Sequence, residues 1–456
     1  MPNKKNVGHT GLEAALKSDL KSGDTEHLRS DLLGQHPADI AEALERVNSK
    51  QRRNAFELLD VHQKAEVLNE LSERIARQLL EKYSAPAIAE LLDLLPMDEA
   101  ARLLSTFRRR RASILGAMNT QHSRDVRELL RYPPHSAGRL MTEKFARVTP
   151  EMTAEESLAL LRRSSADIET LTNLYVIDEA GRLLGVVALR EVVVASPRRR
   201  IRELMTTDLV TVSPETDREE VARLISKYDF LAMPVISPEG KVLGIITADD
   251  VIDVLVAEGG EDILKFGGLQ GAAAAEESYF EIPLNIAVRR RVGWLLLLFI
   301  GGTLTGNVLR YFEHELSSAV ALAFFIPLLI GTGGNTGAQT VSTLIRALAI
   351  GEITTRDAWR VVRRELVSGL ILGIVLGLVA YVRAIIWNPV PALALAVALT
   401  VMAICTWANT IASLIPLAAY RFKIDPAAVS APMITTVVDA TGLAIYLLIA
   451  KATLGL

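Results

Sequence analysis

The chain has 456 residues, half of them hydrophobic and 23% charged, with a formal net charge of −3. This length is enough for two or three domains. A single cysteine, Cys405, excludes an intrachain disulfide framework and a thiolate metal cluster. The charge is uneven: the first 283 residues hold 37 basic and 46 acidic residues, and the remainder holds 13 and 7. The sequence therefore predicts an acidic, soluble front and an apolar, mildly basic back.

The front, residues 1–135, has the pattern of an acidic helical domain. Short apolar segments such as IAEALERV and AIAELLDLL recur, with Leu and Ala at i, i+3 and i+4 and acids opposite. Prolines or polar turns separate them, which predicts an all-α superhelical domain. The run Arg108–Arg111 does not predict nucleic-acid binding, because the soluble part is net acidic.

The middle of the chain contains a repeat. Met141–Pro150 (MTEKFARVTP) pairs with Met205–Pro214 (MTTDLVTVSP), and Tyr175–Val187 pairs with Pro234–Ile246. Each copy has the pattern strand, helix, strand, Gly-containing turn, strand, helix. Such repetition around a short hairpin predicts two α/β modules that share a core.

This repeat resembles a tandem pair of CBS domains, with the first at 136–200 and the second at 201–256. Such pairs often bind adenosine nucleotides in the cleft between the modules. The resemblance implies Arg190 and Phe230 as candidate cofactor-binding residues for ATP or another adenosine nucleotide. A scaffold that binds no nucleotide is the alternative interpretation.

A connecting segment, 248–280, follows and overlaps the end of the second module. It has an apolar stripe and six acids within fourteen residues: Asp249, Asp250, Asp253, Glu258, Glu261 and Asp262. These carboxylates repel one another unless solvent or a cation neutralises them. Hard divalent cations bind clustered oxygens, and Mg²⁺ keeps several of its waters when it does so.

The back, 284–456, contains five apolar runs that can each form the roughly 20-residue helix needed to cross a membrane. They are Val292–Leu309, Ala319–Ile345, Leu366–Ile386, Val390–Tyr420 and Ala427–Leu456. We therefore predict an α-helical domain with five spans.

The placement of Lys and Arg predicts how these spans are oriented. One side holds Arg289, Arg290, Arg291, Arg346, Arg356, Arg360, Arg363, Arg364, Arg421 and Lys423, and the other holds Arg310, Arg383 and Lys451. The first 30 residues contain no apolar h-region of a secretory signal. We predict a multi-pass protein of the inner (cytoplasmic) membrane with its N-terminus in the cytoplasm and its C-terminus outside.

Two of the runs carry unusual motifs. The second contains IPLLIGTGGNTGAQ, Ile326–Gln339, and the last contains APMITTVVDATG, Ala431–Gly442, whose Asp439 is the only acid in these apolar runs. A lone carboxylate in a span by default faces a water-filled path or a partner. The glycines of the second run fit either close helix packing or the lining of a pore.

The acidic helical domain, the paired CBS modules and the two membrane motifs, in this order, resemble the MgtE family of magnesium channels and transporters. The likeness extends over nearly the whole chain. It implies a multi-domain membrane protein, active as a homodimer in membrane lipid, with a pore on the twofold axis. The connecting helix would close the cytoplasmic mouth when Mg²⁺ is plentiful.

The resemblance also implies metal-binding positions. Asp439 would be the central ion-binding carboxylate, with Asn335 and the Thr435 backbone nearby. The regulatory acids would be Glu66, Asp98, Glu219, Asp229, Asp250, Asp253, Glu258, Glu261 and Asp262. Arg102 and Val256 stand where relatives can carry acids.

The predicted function is Mg²⁺ uptake that is gated by cytoplasmic Mg²⁺ bound between the helical domain, the CBS modules and the connecting helix. Mg²⁺ is then both the transported and the regulatory ion, and no nucleic acid takes part. The alternative is a proton-coupled secondary transporter of Mg²⁺, Mn²⁺ or Co²⁺ that uses Asp439 as its proton carrier. An enzyme is disfavoured, because no acid–base or nucleophilic partner accompanies Asp439.

Overall fold

A computed structural model describes residues 16, 25–32, 34–164, 168–269 and 282–455. The chain divides into two compact units, Met1–Val256 and Ala257–Leu456.

The first unit begins with short helices. They are α1 (Thr25–Leu32), α2 (Pro37–Glu45), α3 (Ser49–Glu57), α4 (Val61–Glu70), α5 (Glu73–Leu80), α6 (Ala85–Leu92), α7 (Met97–Ser105), α8 (Arg111–Ala117) and α9 (Thr120–Leu129). Polar caps set their starts: Asp60 forms a capping box with Gln63, and the side chain of Ser84 accepts from Ala87 N. The apolar stripes of these helices pack into one buried core.

The repeat in the middle of the chain folds as two related α/β modules within the first unit. The first comprises α10 (Ala137–Leu140), β1 (Phe145–Val148), α11 (Ala154–Ser164), β2 (Thr170–Ile177), β3 (Leu183–Ala188) and α12 (Leu189–Val194). The second comprises α13 (Arg218–Tyr228), β4 (Ala232–Ile236) and β5 (Val242–Thr247). Strand β2 pairs in parallel with β1 and antiparallel with β3, while β4 and β5 form an antiparallel pair.

The two modules exchange backbone hydrogen bonds symmetrically. Thr142, just before β1, bonds reciprocally with Ile245 at 2.8 and 2.9 Å. Its counterpart in the repeat, Thr206, bonds reciprocally with Val186 at 2.9 and 3.0 Å. A Cβ on Gly244 would lie 2.7 Å from the carbonyl oxygen of Thr142, so this exchange requires a glycine.

Helix α14 (Ala248–Phe266) leaves the second module and crosses the division between the two units. The second unit then has the long helices α15 (Leu284–Tyr311), α17 (Ile326–Ala349), α18 (Ala358–Trp387), α19 (Pro391–Arg421) and α20 (Ala431–Leu454), with a short α16 (Glu313–Ser318). Within the described residues, five helical segments are long and apolar enough to cross a membrane. Their number and order agree with the five predicted spans.

Glycines allow two of the long helices to approach closely. Gly369, Gly373 and Gly377 lie four residues apart on one face of α18 and are buried. A Cβ on Gly373 would lie 2.7 Å from both the Cα and the carbonyl oxygen of Met402 in α19. Small residues at this spacing are typical of tightly packed membrane helices.

Candidate functional site

Asp439 lies in the middle of α20, half-buried, beside the glycine-rich helix α17. Its Oδ1 would be 3.7 Å from a Cβ on Gly334, and the side chain of Thr435 would be 3.3 Å from the same atom. Gly334 therefore gives the carboxylate room next to the backbone of α17. Asn335, the next residue, is exposed on α17.

The hydroxyl groups near Asp439 are already engaged by their own helix. Thr435 Oγ1 donates to the carbonyl of Pro432 at 2.9 Å, and Thr436 Oγ1 donates to it at 2.8 Å. These bonds leave lone pairs on the threonine oxygens. The predicted threonine thus lies one turn from Asp439, as helical spacing requires.

The glycine motif of α17 takes part in close helix packing. A Cβ on Gly333 would be 2.7 Å from Ile404 of α19, and one on Gly337 would be 3.1 Å from Ile434 of α20. The segment is a continuous helix from Ile326, so its glycines do not break the backbone. The sequence left open whether these glycines serve close helix packing or line a pore. Gly333 and Gly337 serve close packing.

Two predicted regulatory acids come together in the first unit. Asp98 of α7 and Asp250 of α14 lie close enough to interact electrostatically, and Glu99 and Glu169 join them. Asp98 is only 8% exposed, and its Oδ1 has no hydrogen-bond partner in the described part of the chain. We call Asp98, Glu99, Glu169, Asp249 and Asp250 the acidic cluster.

Burial and mutual repulsion disfavour the ionised carboxylates of Asp98 and Asp250 in the acidic cluster. Burial first, and then Glu99, Asp250 and Glu169, raise the pKa of Asp98 well above its ordinary value. Burial raises the pKa of Asp250 to about 7, although the hydrogen bond donated by Thr247 lowers it. Removing a buried acceptor from water without a partner is costly, so this cluster favours a bound proton or cation.

Arg102 explains part of the charge distribution around the cluster. Its guanidinium pairs with Glu99 at 2.6 Å and donates to the Asn69 carbonyl at 2.9 Å. Arg102 thus pairs with one member of the acidic cluster and supplies a fixed positive charge beside Glu99.

The remaining regulatory predictions fall into separate places. Glu66 of α4 is exposed and lines a cavity of about 220 Å³ together with His36 and His62. Glu219, in the first turn of α13, and Asp253 of α14 are exposed. Among the described residues, the acids that shift the pKa of Asp98 or Asp250 are other ones: Asp98 responds to Glu99, Asp250 and Glu169, and Asp250 to Asp249, Glu169 and Glu99.

The C-terminal end of α14 is fixed within the second unit. Lys265 Nζ lies 2.6 Å from Asp425 Oδ2 and 2.8 Å from Glu261 Oε1. Burial first, and then the charge of Asp425, raise the pKa of Asp262. The predicted acids Glu261 and Asp262 therefore face Asp425 with a lysine between them, and the predicted Glu258 lies one turn earlier on α14.

The two predicted nucleotide-binding residues share a cleft in the CBS region. Arg190 and Phe230 line a cavity of about 600 Å³, and Asp229, which was predicted to bind metal, lines it too. Asp229 ends α13 in the left-handed conformation at φ 53°. This arrangement offers an aromatic ring, a cation and an anion to one ligand.

Sequence reasoning missed Glu99, Glu169, Asp425 and Lys265. Glu99 adjoins the predicted Asp98, so adjacency was an available signal. Glu169 and Asp425 are distant in sequence from the acids that they face, so only the fold brings them there. Among the described residues, no group of three or more His, Cys, Asp or Glu side chains converges as a metal site.

Family models match the N-terminal helices, the repeat and helices α17 to α20. The MgtE divalent cation transporter family matches residues 326–449, the MgtE intracellular N domain matches 35–135, and the CBS domain matches 137–198 and 201–257. A solved structure of the cytosolic domain of the Mg²⁺ channel MgtE in complex with ATP is 37% identical, with a TM-score of 0.50, and covers 53% of this chain and 99% of that chain.

Two full-length relatives extend this likeness across the membrane unit. The magnesium transporter MgtE of Thermus thermophilus is 38% identical over 447 residues, 97% of this chain and 98% of the relative. MgtE of Bacillus subtilis is 32% identical over 434 residues, 95% of each. The predicted fold class is confirmed, and the relatives are transporters rather than enzymes. By its sequence, its domain order and its five candidate membrane helices, the chain belongs to the MgtE family of magnesium transporters.

Proposed function

We propose that this chain forms a homodimeric Mg²⁺ channel in the cytoplasmic membrane, with its N-terminus in the cytoplasm, and that Mg²⁺ bound to its cytoplasmic part closes the channel. Membership of the family supports Mg²⁺ as the transported ion. Our proposal adds the channel mechanism, the dimer, the orientation and the gating.

One observation carries the proposal: a half-buried carboxylate, Asp439, faces the glycine-rich helix α17 inside a unit built from candidate membrane helices. Two copies related by a twofold axis would present two such carboxylates to one ion. Mg²⁺ gives up its waters reluctantly, so a pair of carboxylates suits a hydrated ion. Oxygen ligands such as these carboxylates favour a hard cation.

Helix α15 leaves a surface that is open to a second copy. This helix is described throughout, and none of its residues is buried. At Gly302 and Gly306 on this helix, an added Cβ would meet no other atom within 4 Å. Lipid or a second copy can cover this surface, and the proposed pore requires the second copy.

The gating rests on the acidic cluster. Asp98 belongs to the helical domain and Asp250 to α14, the helix that continues into the second unit. Among the described residues, Asp98 Oδ1 has no hydrogen-bond partner. Asp98 and Asp250 together suit Mg²⁺, because this ion is usually held by one or two carboxylates and several waters. Bound Mg²⁺ would relieve the repulsion and favour the compact arrangement, because a ligand shifts an equilibrium toward the state that it binds better.

When cytoplasmic Mg²⁺ falls, the repulsion returns and the acidic elements separate. We propose that α14 then releases the cytoplasmic mouth. Glu66, Glu219, Asp229, Asp253, Glu258, Glu261 and Asp262 stay predicted contributors to the regulatory sites. Entry of Mg²⁺ would follow its gradient and the membrane potential, which supplies about 2.3 kcal/mol per charge per 100 mV.

We also propose that an adenosine nucleotide binds in the cleft lined by Arg190 and Phe230. The cavity and the ATP complex of the related cytosolic domain support this binding. Isothermal titration with ATP should give a clear heat for the native chain and none for Arg190→Ala with Phe230→Ala. Equal binding by both proteins would contradict the assignment.

The transport proposal is tested with Asp439→Asn in proteoliposomes. We expect uptake of Mg²⁺ to fall by about 100-fold or more, because the neutral amide cannot replace the ion-binding charge. Glu352→Gln, at an exposed glutamate beyond the end of α17, is the matched control and should transport normally.

Two outcomes would contradict the proposal. Native uptake by Asp439→Asn would remove the carboxylate from the ion path. Uptake that a proton gradient drives without a Mg²⁺ gradient would favour the proton-coupled transporter instead of the channel.

A further inference from the structure

A carboxylate other than Asp439 is held between helices of the second unit. Glu365 of α18 precedes the third apolar run by one residue and falls inside the candidate span 355–387. Asn409 of α19 donates from Nδ2 to Oε2 of Glu365 at 3.3 Å and to the Glu365 backbone carbonyl at 3.3 Å. The hydroxyl of Thr340 in α17 donates to the same Oε2 at 3.5 Å. Glu365 thus accepts hydrogen bonds from α17 and from α19.

Asn409 is held tightly in this arrangement. It is only 1% exposed, and its Oδ1 has no hydrogen-bond partner among the described residues. Gly369, one turn after Glu365, brings α18 so close that a Cβ there would be 3.1 Å from the Cβ of Asn409. The close approach of α18 thus places Asn409 next to Glu365. A carboxylate acceptor makes a stronger hydrogen bond than a neutral one.

Helix α19 also supports α17 on the side next to Asn409. A Cβ on Gly337 would be 3.9 Å from Ala408, the neighbour of Asn409. One turn earlier, a Cβ on Gly333 would be 2.7 Å from Ile404. Any shift of α19 against α18 would therefore be passed to α17 through direct contacts, because packed helices are not readily compressed.

We propose that Glu365 is a positioning residue for Mg²⁺ transport. It holds α19 through Asn409, and α19 in turn fixes α17, which carries Gly334 beside Asp439. The inference rests on the proposed function, in which Asp439 binds the transported ion. A charged residue within a span is costly, and such residues are kept where they serve a function.

The test compares Glu365→Leu, Glu365→Gln and the matched control Glu352→Leu in proteoliposomes, with KM for Mg²⁺ and the ratio of Mg²⁺ to Mn²⁺ uptake as readouts. Glu365→Leu should raise KM about fivefold and lower the ratio, because displaced groups bind the ion less well. Glu365→Gln keeps an acceptor oxygen for Asn409, so its KM should stay within about twofold of the native value. Glu352→Leu should match the native protein.

If Glu365 has a merely structural role, Glu365→Leu should lower only the amount of folded protein, which size-exclusion chromatography measures. The maximal rate would then fall by the same factor, and KM and the ratio of Mg²⁺ to Mn²⁺ uptake would stay unchanged. That outcome for Glu365→Leu would overturn the proposal. If Glu365→Leu does not fold, Asn409→Ala is measured in its place, with the same expected rise in KM.

Asp439→Asn is measured beside these variants. Native transport by Asp439→Asn contradicts the proposed ion site. Native KM in Glu365→Leu, with Asp439→Asn inactive, contradicts only the positioning role.

Discussion

At the scale of single residues, the unusual feature of the first unit is a buried carboxylate with other carboxylates around it. Asp98 and Asp250 come from distant parts of the chain, and Glu169 from a third. An ionised carboxylate has a lower free energy in water than when it is buried beside other carboxylates. The repulsion between these carboxylates can therefore be relieved by bound protons or by Mg²⁺.

This arrangement predicts how stability depends on pH without Mg²⁺. The pKa of Asp250 rises from 3.8 to about 7 on folding, so the folded state binds more protons than the unfolded state between these values. Stability of the cytoplasmic part should thus fall as pH rises from about 4 to 7. Thermal unfolding of the full chain in detergent, followed at pH 5 and pH 8, measures this.

Asp250→Asn is the matched variant. It should flatten the pH dependence and reduce the stabilisation by Mg²⁺ at pH 8. A native pH dependence in this variant would show that the titrating group lies elsewhere.

The residues of the acidic cluster also show what sequence can predict. Asp98 and Asp250 were predicted from family resemblance, and the fold brings them together. Glu169 could not be predicted, because nothing in its local pattern indicates which distant residues it will meet. Glu365 was overlooked because it stands one residue outside an apolar run, although α18 begins well before that run.

At the scale of secondary-structure elements, glycines set how closely helices and strands approach. The repeated Gly-containing hairpins of the CBS modules were predictable from sequence, because Gly181 and Gly240 occupy the same place in each copy and have φ values of +80° and +81°. The contact between α18 and α19 was not predicted. The sequence does contain three glycines four residues apart, which indicate close helix packing. It does not indicate which helix packs against them.

We predict that Gly373→Leu disrupts the packing of α18 against α19. A side chain there would meet backbone atoms of Met402 at 2.7 Å, and backbone cannot swing aside. Overpacking of this kind costs about 1–3 kcal/mol. A lower midpoint of thermal unfolding in detergent, compared with the native protein, measures the effect.

Gly331→Ala in α17 is the control, because no atom lies within 4 Å of its Cβ position. Equal stability of Gly373→Leu and the native protein would contradict the close approach of these helices.

At the scale of the whole molecule, one helix belongs to both units. Helix α14 begins at Ala248 next to the acidic cluster and ends at Phe266, near the contact of Lys265 with Asp425. The sequence predicted a connecting element over 248–280, and its part from 270 lies outside the described residues. Periodicity predicts such a helix, but its attachment at Asp425 depends on tertiary contacts.

The central claim, that Mg²⁺ at the acidic cluster closes a pore lined by Asp439, is tested most directly by patch recording with varied cytoplasmic Mg²⁺. We predict that native currents fall as cytoplasmic Mg²⁺ rises. Asp98→Asn with Asp250→Asn should conduct normally and need about tenfold more Mg²⁺ to close, because each carboxylate lost weakens binding. Asp439→Asn should carry no Mg²⁺ current. Closure of the Asp98/Asp250 double variant at the native Mg²⁺ concentration would contradict the account.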